Sequence, residues 1–165
     1  MISLRTATEA DFEAIWTIFH EIIVAGDTYV QDDTFTAEQA RQMWLGPGIY
    51  TVVACANARV VGAYKLLPNT PGRGAHVVNG SYIVDVAYRG QSIGRLMLQH
   101  SLQEARSAGY KAIQFNFVVS TNHAAVKLYE QVGFQTLATL PKAFRHKTYG
   151  YVDAYLMHRS LEGEA

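Results

Sequence analysis

The spacing of apolar residues along the chain switches between two and three-to-four, and each switch marks an element. Residues 2–6 alternate and predict a short strand. Thr8-Glu9-Ala10-Asp11 reads as a capping arrangement. Phe12, Ile15, Trp16, Phe19, Ile22 and Ile23 then recur at helical spacing up to a stop near Gly26. A polar stretch with aromatics, 27–33, precedes a second helix that opens at Thr36, carries Ala40, Met43 and Trp44, and is stopped by Gly46-Pro47-Gly48. Residues 49–56 and 60–67 are β-rich, and their short link at Asn57-Ala58-Arg59 predicts a hairpin. After a Gly/Pro loop at 68–74, residues 76–86 read as a longer strand and 92–108 as a helix capped by Gly109. Residues 112–119 predict a strand with Phe115, Phe117 and Val119 on one side. Asn122 opens a last helix carrying Ala125, Val126, Leu128, Tyr129 and Val132, which Gly133 ends. Residues 134–140 and 151–158 predict two final strands.

The order is β-α-α-β-β-β-α-β-α-β-β. Strands joined by tight links pair antiparallel, whereas the strand–helix–strand unit over 76–118 implies a parallel pair through a right-handed crossover. A mixed sheet with helices on both faces follows. No repeat, linker or low-complexity tract divides the 165 residues, which predicts a single domain over 1–165.

Composition narrows the function classes. The formal net charge is zero and no run of Lys or Arg occurs, which argues against nucleic acid or an anionic membrane as the main partner. One cysteine, Cys55, excludes an internal disulfide and fits a reducing compartment; its apolar strand predicts packed core. Met1-Ile2-Ser3-Leu4-Arg5 lacks the pattern of a signal peptide, and no apolar stretch approaches a membrane span, so a cytoplasmic location is expected. No His/Cys/Asp spacing suggests a metal site.

The most informative segment is Arg89-Gly90-Gln91-Ser92-Ile93-Gly94-Arg95, between an apolar strand and a helical pattern. Unpaired N–H groups in a first helical turn, aided by the helix dipole, favour an anion. Three residues between the glycines, followed by Arg95, exclude a P-loop, and no G-x-G-x-x-G is present. The same residues would equally suit a turn that binds nothing.

Arg89 to Gly94 resemble the Arg/Gln-x-x-Gly-x-Gly/Ala signature of the GCN5-related N-acetyltransferases, the GNAT family, with Ser92 where the first glycine stands. A second likeness lies downstream: Asn122 at a helix start, Tyr129 two turns later on the same face, and then Gly133-Phe134. The order of elements is similar to that family along nearly the whole chain. The resemblance implies a GNAT-like α/β fold, a mixed, mostly antiparallel sheet of about seven strands with about four helices on both faces. It also implies acetyl-coenzyme A as co-substrate. Gly90, Gln91, Ser92, Ile93, Gly94 and Arg95 would hold the pyrophosphate, Ile83 and Val84 the neighbouring arm, and Asn122 the pantetheine. Tyr129 would stand near the sulfur. Taken singly, Asn122 reads equally well as an N-cap and Tyr129 as a core aromatic.

Acetyl transfer needs a deprotonated amine, a donor for the tetrahedral oxyanion and a proton source for the leaving thiolate. A backbone donor near Val84 suits the second need and the Tyr129 phenol, as general acid, the third. The base stays open among Asp85, Glu21, Asp27, Tyr29 and ordered water. Asn79, Asn116 and Asn122 are spaced similarly to asparagines of the fungal acetyltransferases that act on L-azetidine-2-carboxylate. By that likeness, which covers only the region from the fourth strand to the last helix, Asn116 and Phe117 would hold an acceptor carboxylate. Asn79 would hold substrate or orient water. Asn79-Gly80 also reads as a strand irregularity that caps its own backbone. Arg145-His146-Lys147 reads as a basic loop near the site mouth or, preferred, as a solvated turn. Tyr149, Tyr151 and Tyr155 would line the acceptor pocket or pack at a subunit contact, because such proteins often form homodimers. The expectation is an acyltransferase acting on a small-molecule amine. A protein N-terminal or lysine acetyltransferase and a non-catalytic acyl-CoA-binding sensor are the alternatives.

Overall fold

The computed structural model describes residues 1–163. Its elements are β1 (Ile2–Thr6), α1 (Phe12–Ala25), α2 (Ala37–Leu45), β2 (Tyr50–Ala56), β3 (Arg59–Pro68), β4 (Val77–Val84), α3 (Ile93–Ser107), β5 (Ala112–Val119), α4 (His123–Gln131), β6 (Gln135–His146) and β7 (Gly150–Ser160). One seven-stranded sheet runs β1-β2-β3-β4-β5-β7-β6. Among the described residues only β4 and β5 are parallel neighbours; the remaining pairs are antiparallel.

The apolar stripes read from the sequence bury two cores, one on each face. Phe12, Ile15 and Phe19 of α1 and Trp44 of α2 pack on Val53, Ala63 and Ile83. Met97, Leu98 and Leu102 of α3 pack on Val61, Tyr64 and Ile113, joined by Phe115, Phe134 and Met157. Local chemistry ends these helices where the sequence says it should. Asp11 accepts the Thr8 N–H at 2.7 Å and takes both Arg5 guanidinium nitrogens at 2.7 and 2.8 Å. Thr36 and Gln39 form a capping box on α2. Gly26 closes α1 at φ 66°, a left-handed conformation that favours glycine.

Two irregularities open the sheet. β4 and β5 pair only from Val77↔Ala112 to Asn79↔Gln114, and then separate. Against β7, β5 changes register between Phe115 and Val118, where it carries one more residue than its partner. That bulge corrects the expected strand face. Phe115 stays in the core against Tyr129 and Phe134, whereas Phe117 reaches Phe144 of β6. Boundaries shift too. β4 ends at Val84 because Asp85 accepts the Ala87 N–H at 2.9 Å and caps a 3-10 turn over Val86–Tyr88. β6 and β7 extend to His146 and from Gly150, so the predicted solvated turn is the tip of a long hairpin.

Candidate active site

A cavity of about 810 Å³ lies where β4 and β5 part. Its walls are the middle of β4, the bulge of β5, the start of α4, the α1–α2 loop and the tip of the β6–β7 hairpin. Lys147 stitches the last two together, donating its N–H to the Gly26 carbonyl at 2.9 Å and its Nζ to the Val24 carbonyl at 3.0 Å.

The phase of β4 decides which backbone groups face this gap. Asp85 bonds Val61 and Val77 bonds Asn69 across the β3 ladder, so odd-numbered residues of β4 spend their polar groups on β3. Tyr82 and Val84 turn theirs toward the cleft. Consistently, the Tyr82 carbonyl accepts the Tyr29 hydroxyl at 3.0 Å. This corrects one expected coenzyme residue: Ile83 is 1% exposed, its side chain packs under α1, and its backbone faces β3. The Val84 backbone, beyond the last β4–β5 pair, takes no backbone partner on that side among the described residues.

At one end of the cleft, Leu96 is the first residue of α3 whose N–H finds an acceptor, Ser92 O at 3.0 Å. The N–H groups of Ile93, Gly94 and Arg95 take no backbone partner among the described residues. Gly90 sits at φ 76° with nothing within 4 Å of where a Cβ would be, so the loop surface is open. Ser92 also adopts a left-handed conformation, φ 60°, in the place of the signature glycine. Gly94 passes 3.8 Å from Leu128 of α4 by its would-be Cβ. Arg95 donates to Gln131 and holds the start of α3 against α4. Gln91 is exposed beside them. The cavity reaches this loop at Arg89.

In the middle stands Tyr129, half-buried among Tyr82, Phe115 and Phe134. Burial pushes its phenol up to about 12. Asn122 caps α4 through Oδ1, which accepts the Ala125 N–H at 3.4 Å, and lines the cavity. The cap leaves its two amide N–H groups for another partner. The neighbouring Thr121 hydroxyl is buried on the same wall without a partner among the described residues.

The other end is built of amides. Asn116 donates to Asn69 at 2.7 Å and accepts from Gln114 at 2.9 Å; Asn79 donates to the same Asn69 oxygen at 3.4 Å. Asn79, Asn116 and Phe117 all line the cavity. Asn69 and Gln114 carry no signal in the sequence, since only the β3–β4 and β4–β5 pairings bring them here.

The candidate bases separate. Asp85 is ion-paired to Arg59 at 3.0 Å, caps the turn and is off the cavity wall. Glu21 is exposed on α1, also off the wall. Tyr29 lines the cavity, but burial raises its phenol well above the ordinary value and its proton is committed to Tyr82. Asp27 remains on the wall. His146 is 8% exposed and lines the cavity, which corrects the solvated-turn reading at that residue, whereas Arg145 and Lys147 are exposed. Among the described residues no cluster of His, Cys, Asp or Glu could hold a metal, and no helix is long and apolar enough to cross a membrane.

The site is thus framed by a parallel pair splayed open beside the start of α3. The acetyltransferase (GNAT) family model matches residues 12–134, and the chain belongs to that family. It is 34% identical over 111 residues to N-acetyltransferase aca1 of Schizosaccharomyces pombe, a match covering 67% of this chain and 53% of that protein. The chain thus spans about half the length of that relative. It is 27% identical to the L-amino acid N-acyltransferase MnaT of Escherichia coli, over 86% of this chain and 84% of that one. A GCN5-related N-acetyltransferase from Kribbella flavida has the same fold at a TM-score of 0.92 and 45% identity, covering 96% of this chain and 97% of that one. Salmonella typhimurium yncA, solved with acetyl-CoA, overlays at 0.84 and 25% identity, covering 100% and 96%.

Proposed function

We propose that the protein transfers an acetyl group from acetyl-CoA to the amine of a small amino or imino acid, with L-azetidine-2-carboxylate as the acceptor to try first. The observation that carries this reading is a cleft that reaches the α3 loop at Arg89, next to N–H groups without a backbone partner among the described residues, and that has a phenol and a cluster of uncharged amides on its walls. The residues suit the coenzyme: the first turn of α3 offers N–H groups to a diphosphate, and the free edge of β4 offers a pantetheine its hydrogen bonds. Acetyl-CoA, when bound, supplies an activated thioester.

The chain's own groups then have distinct tasks. The Val84 N–H, turned to the cleft, is the donor for the developing oxyanion. Tyr129 is the proton donor toward the sulfur. At about 12 its phenol stays protonated at any working pH, yet full transfer to a thiolate of about 8.5 would be uphill by about 5 kcal/mol. Tyr129 therefore acts mainly by donating a hydrogen bond as the sulfur becomes anionic. Asn116 has one amide N–H left beyond its bond to Asn69, and that group faces an acceptor carboxylate beside Phe117. Asn79 steadies the same cluster. Asp27 or a water takes the amine proton.

The hairpin stitched to α1 by Lys147 favours a small acceptor over a peptide, which would need an open groove at that place. The test is thiol release from acetyl-CoA with L-azetidine-2-carboxylate beside amino acids, polyamines and peptides. Turnover with the imino acid that Asn116→Ala abolishes supports the assignment. Turnover with peptides alone transfers the reading to a protein acetyltransferase. Coenzyme binding without any turnover makes the protein a sensor.

A further inference from the structure

His146 lies on the cavity wall and has no part in the chemistry above, yet its ring is held more firmly than packing requires. Its Nδ1 accepts two backbone N–H groups of the hairpin turn, Thr148 at 3.0 Å and Tyr149 at 3.2 Å. Two donors aimed at one ring nitrogen require a lone pair there, so the neutral imidazole carries its proton on Nε2. The ring is fixed in place as well. It stacks on Tyr149 with centroids 4.5 Å apart and meets Phe144 edge-on at 6.3 Å. The backbone on either side is anchored, by pairing of His146 with Gly150 and by Lys147 on Gly26. Nε2 takes no partner among the described residues and is not sealed in the protein interior.

We propose that His146 is a specificity-determining residue: its Nε2–H donates to an oxygen of the acceptor's carboxylate, opposite the amide cluster around Asn116. The inference rests on the small-acid reading given above. The same bonds leave His146 no lone pair with which to act as a base, since one nitrogen is committed to the turn and the other bears the proton. A donor fixed by the turn meets a carboxylate oxygen in one orientation, which is what selects for that group.

Two substitutions separate the ring's two nitrogens. His146→Asn places an oxygen near the position of Nδ1, keeps the turn's acceptor and removes the Nε2 donor. His146→Gln reaches the position of Nε2 with an amide donor and gives up the turn's acceptor. The expected result is a rise of about tenfold in KM for L-azetidine-2-carboxylate in His146→Asn, with KM for azetidine unchanged, and a much smaller rise in His146→Gln. A purely structural role gives the reverse order, with His146→Gln the more damaged and both acceptors affected alike, and overturns the proposal. Imidazole nitrogen NMR of the wild-type protein gives a readout independent of turnover. A proton on Nδ1, or an Nε2 signal that L-azetidine-2-carboxylate does not shift, also overturns it. If the wild type turns over no small acid but uses peptides, the parent reading fails first, and an Nε2–H tautomer would then survive only as a turn device.

Discussion

Ser92 occupies the left-handed region at φ 60° and ψ 16°, in a loop where the family signature has glycine. An L side chain there costs about 1–2 kcal/mol through the crowding of Cβ against the next carbonyl. Nothing in the structure offsets that cost: Ser92 is exposed and its hydroxyl makes no cap hydrogen bond. Ser92→Gly relieves the crowding but gives the unfolded chain more freedom, worth about 0.4–1 kcal/mol in the other direction. The net expectation is a gain of about 0.5–1 kcal/mol. For a chain of this size that is a rise in Tm of about 1–4 °C. The N–H groups of the loop keep their directions, so acetyl-CoA affinity measured by calorimetry should stay within about twofold. Ser92→Val should do the opposite on both counts, because a β-branched residue is an outlier at this φ and forces the loop to rearrange. A fall in Tm for Ser92→Gly would refute the strain argument. An unchanged Tm with a tenfold loss of coenzyme affinity would mean that the hydroxyl itself holds a phosphate.

Four further outcomes follow from the geometry. Tyr129→Phe should lower kcat about a hundredfold with acetyl-CoA affinity unchanged, and an unchanged kcat would remove Tyr129 from the chemistry. Because burial raises the Tyr129 phenol to about 12 and the protonated form is the donor, the rate should hold through pH 10; an alkaline limb near 10 assigned to Tyr129 by the Phe variant would contradict that burial. The Arg5 fork lowers Asp11 from 3.8 to about 2. A folded-state value below the unfolded one stabilises the fold above about pH 4 and loses that contribution as pH falls toward 2. Asp11→Asn should cost about 2 kcal/mol at pH 7 and flatten urea-measured stability over that window. Gly80→Ala would place a Cβ 3.1 Å from the Tyr82 hydroxyl and 3.3 Å from the Phe115 ring, beside Tyr129. It should cost about 1–2 kcal/mol in thermal unfolding and weaken coenzyme binding; an unaffected protein would mean that the rings yield freely.

Much of the fold and half of the candidate site can be read from the chain alone, because those parts depend on neighbours in sequence. The 3.6-residue stripes of α1 and α3, the capping groups at Asp11, Thr36 and Asn122, and the glycine loop before α3 are local, and the structure has them where the pattern puts them. Asn122 and Tyr129 share a helical face because seven residues make two turns. What a strand shows to its neighbours is not local. Whether Ile83 or Val84 faces the cleft depends on the hydrogen-bonding phase with β3, which alternation of side chains does not reveal. The extra residue in β5 that sends Phe117 away from Phe115 appears only when β7 is laid beside it. Asn69, Gln114 and His146 look like ordinary loop and strand residues until three pairings far apart in sequence converge on one cavity. The sequence by itself determined the elements, their order and the loop that favours an anion. Tertiary structure alone decided which backbone edges stay unpaired and which polar side chains meet, because both follow from register and docking between distant segments.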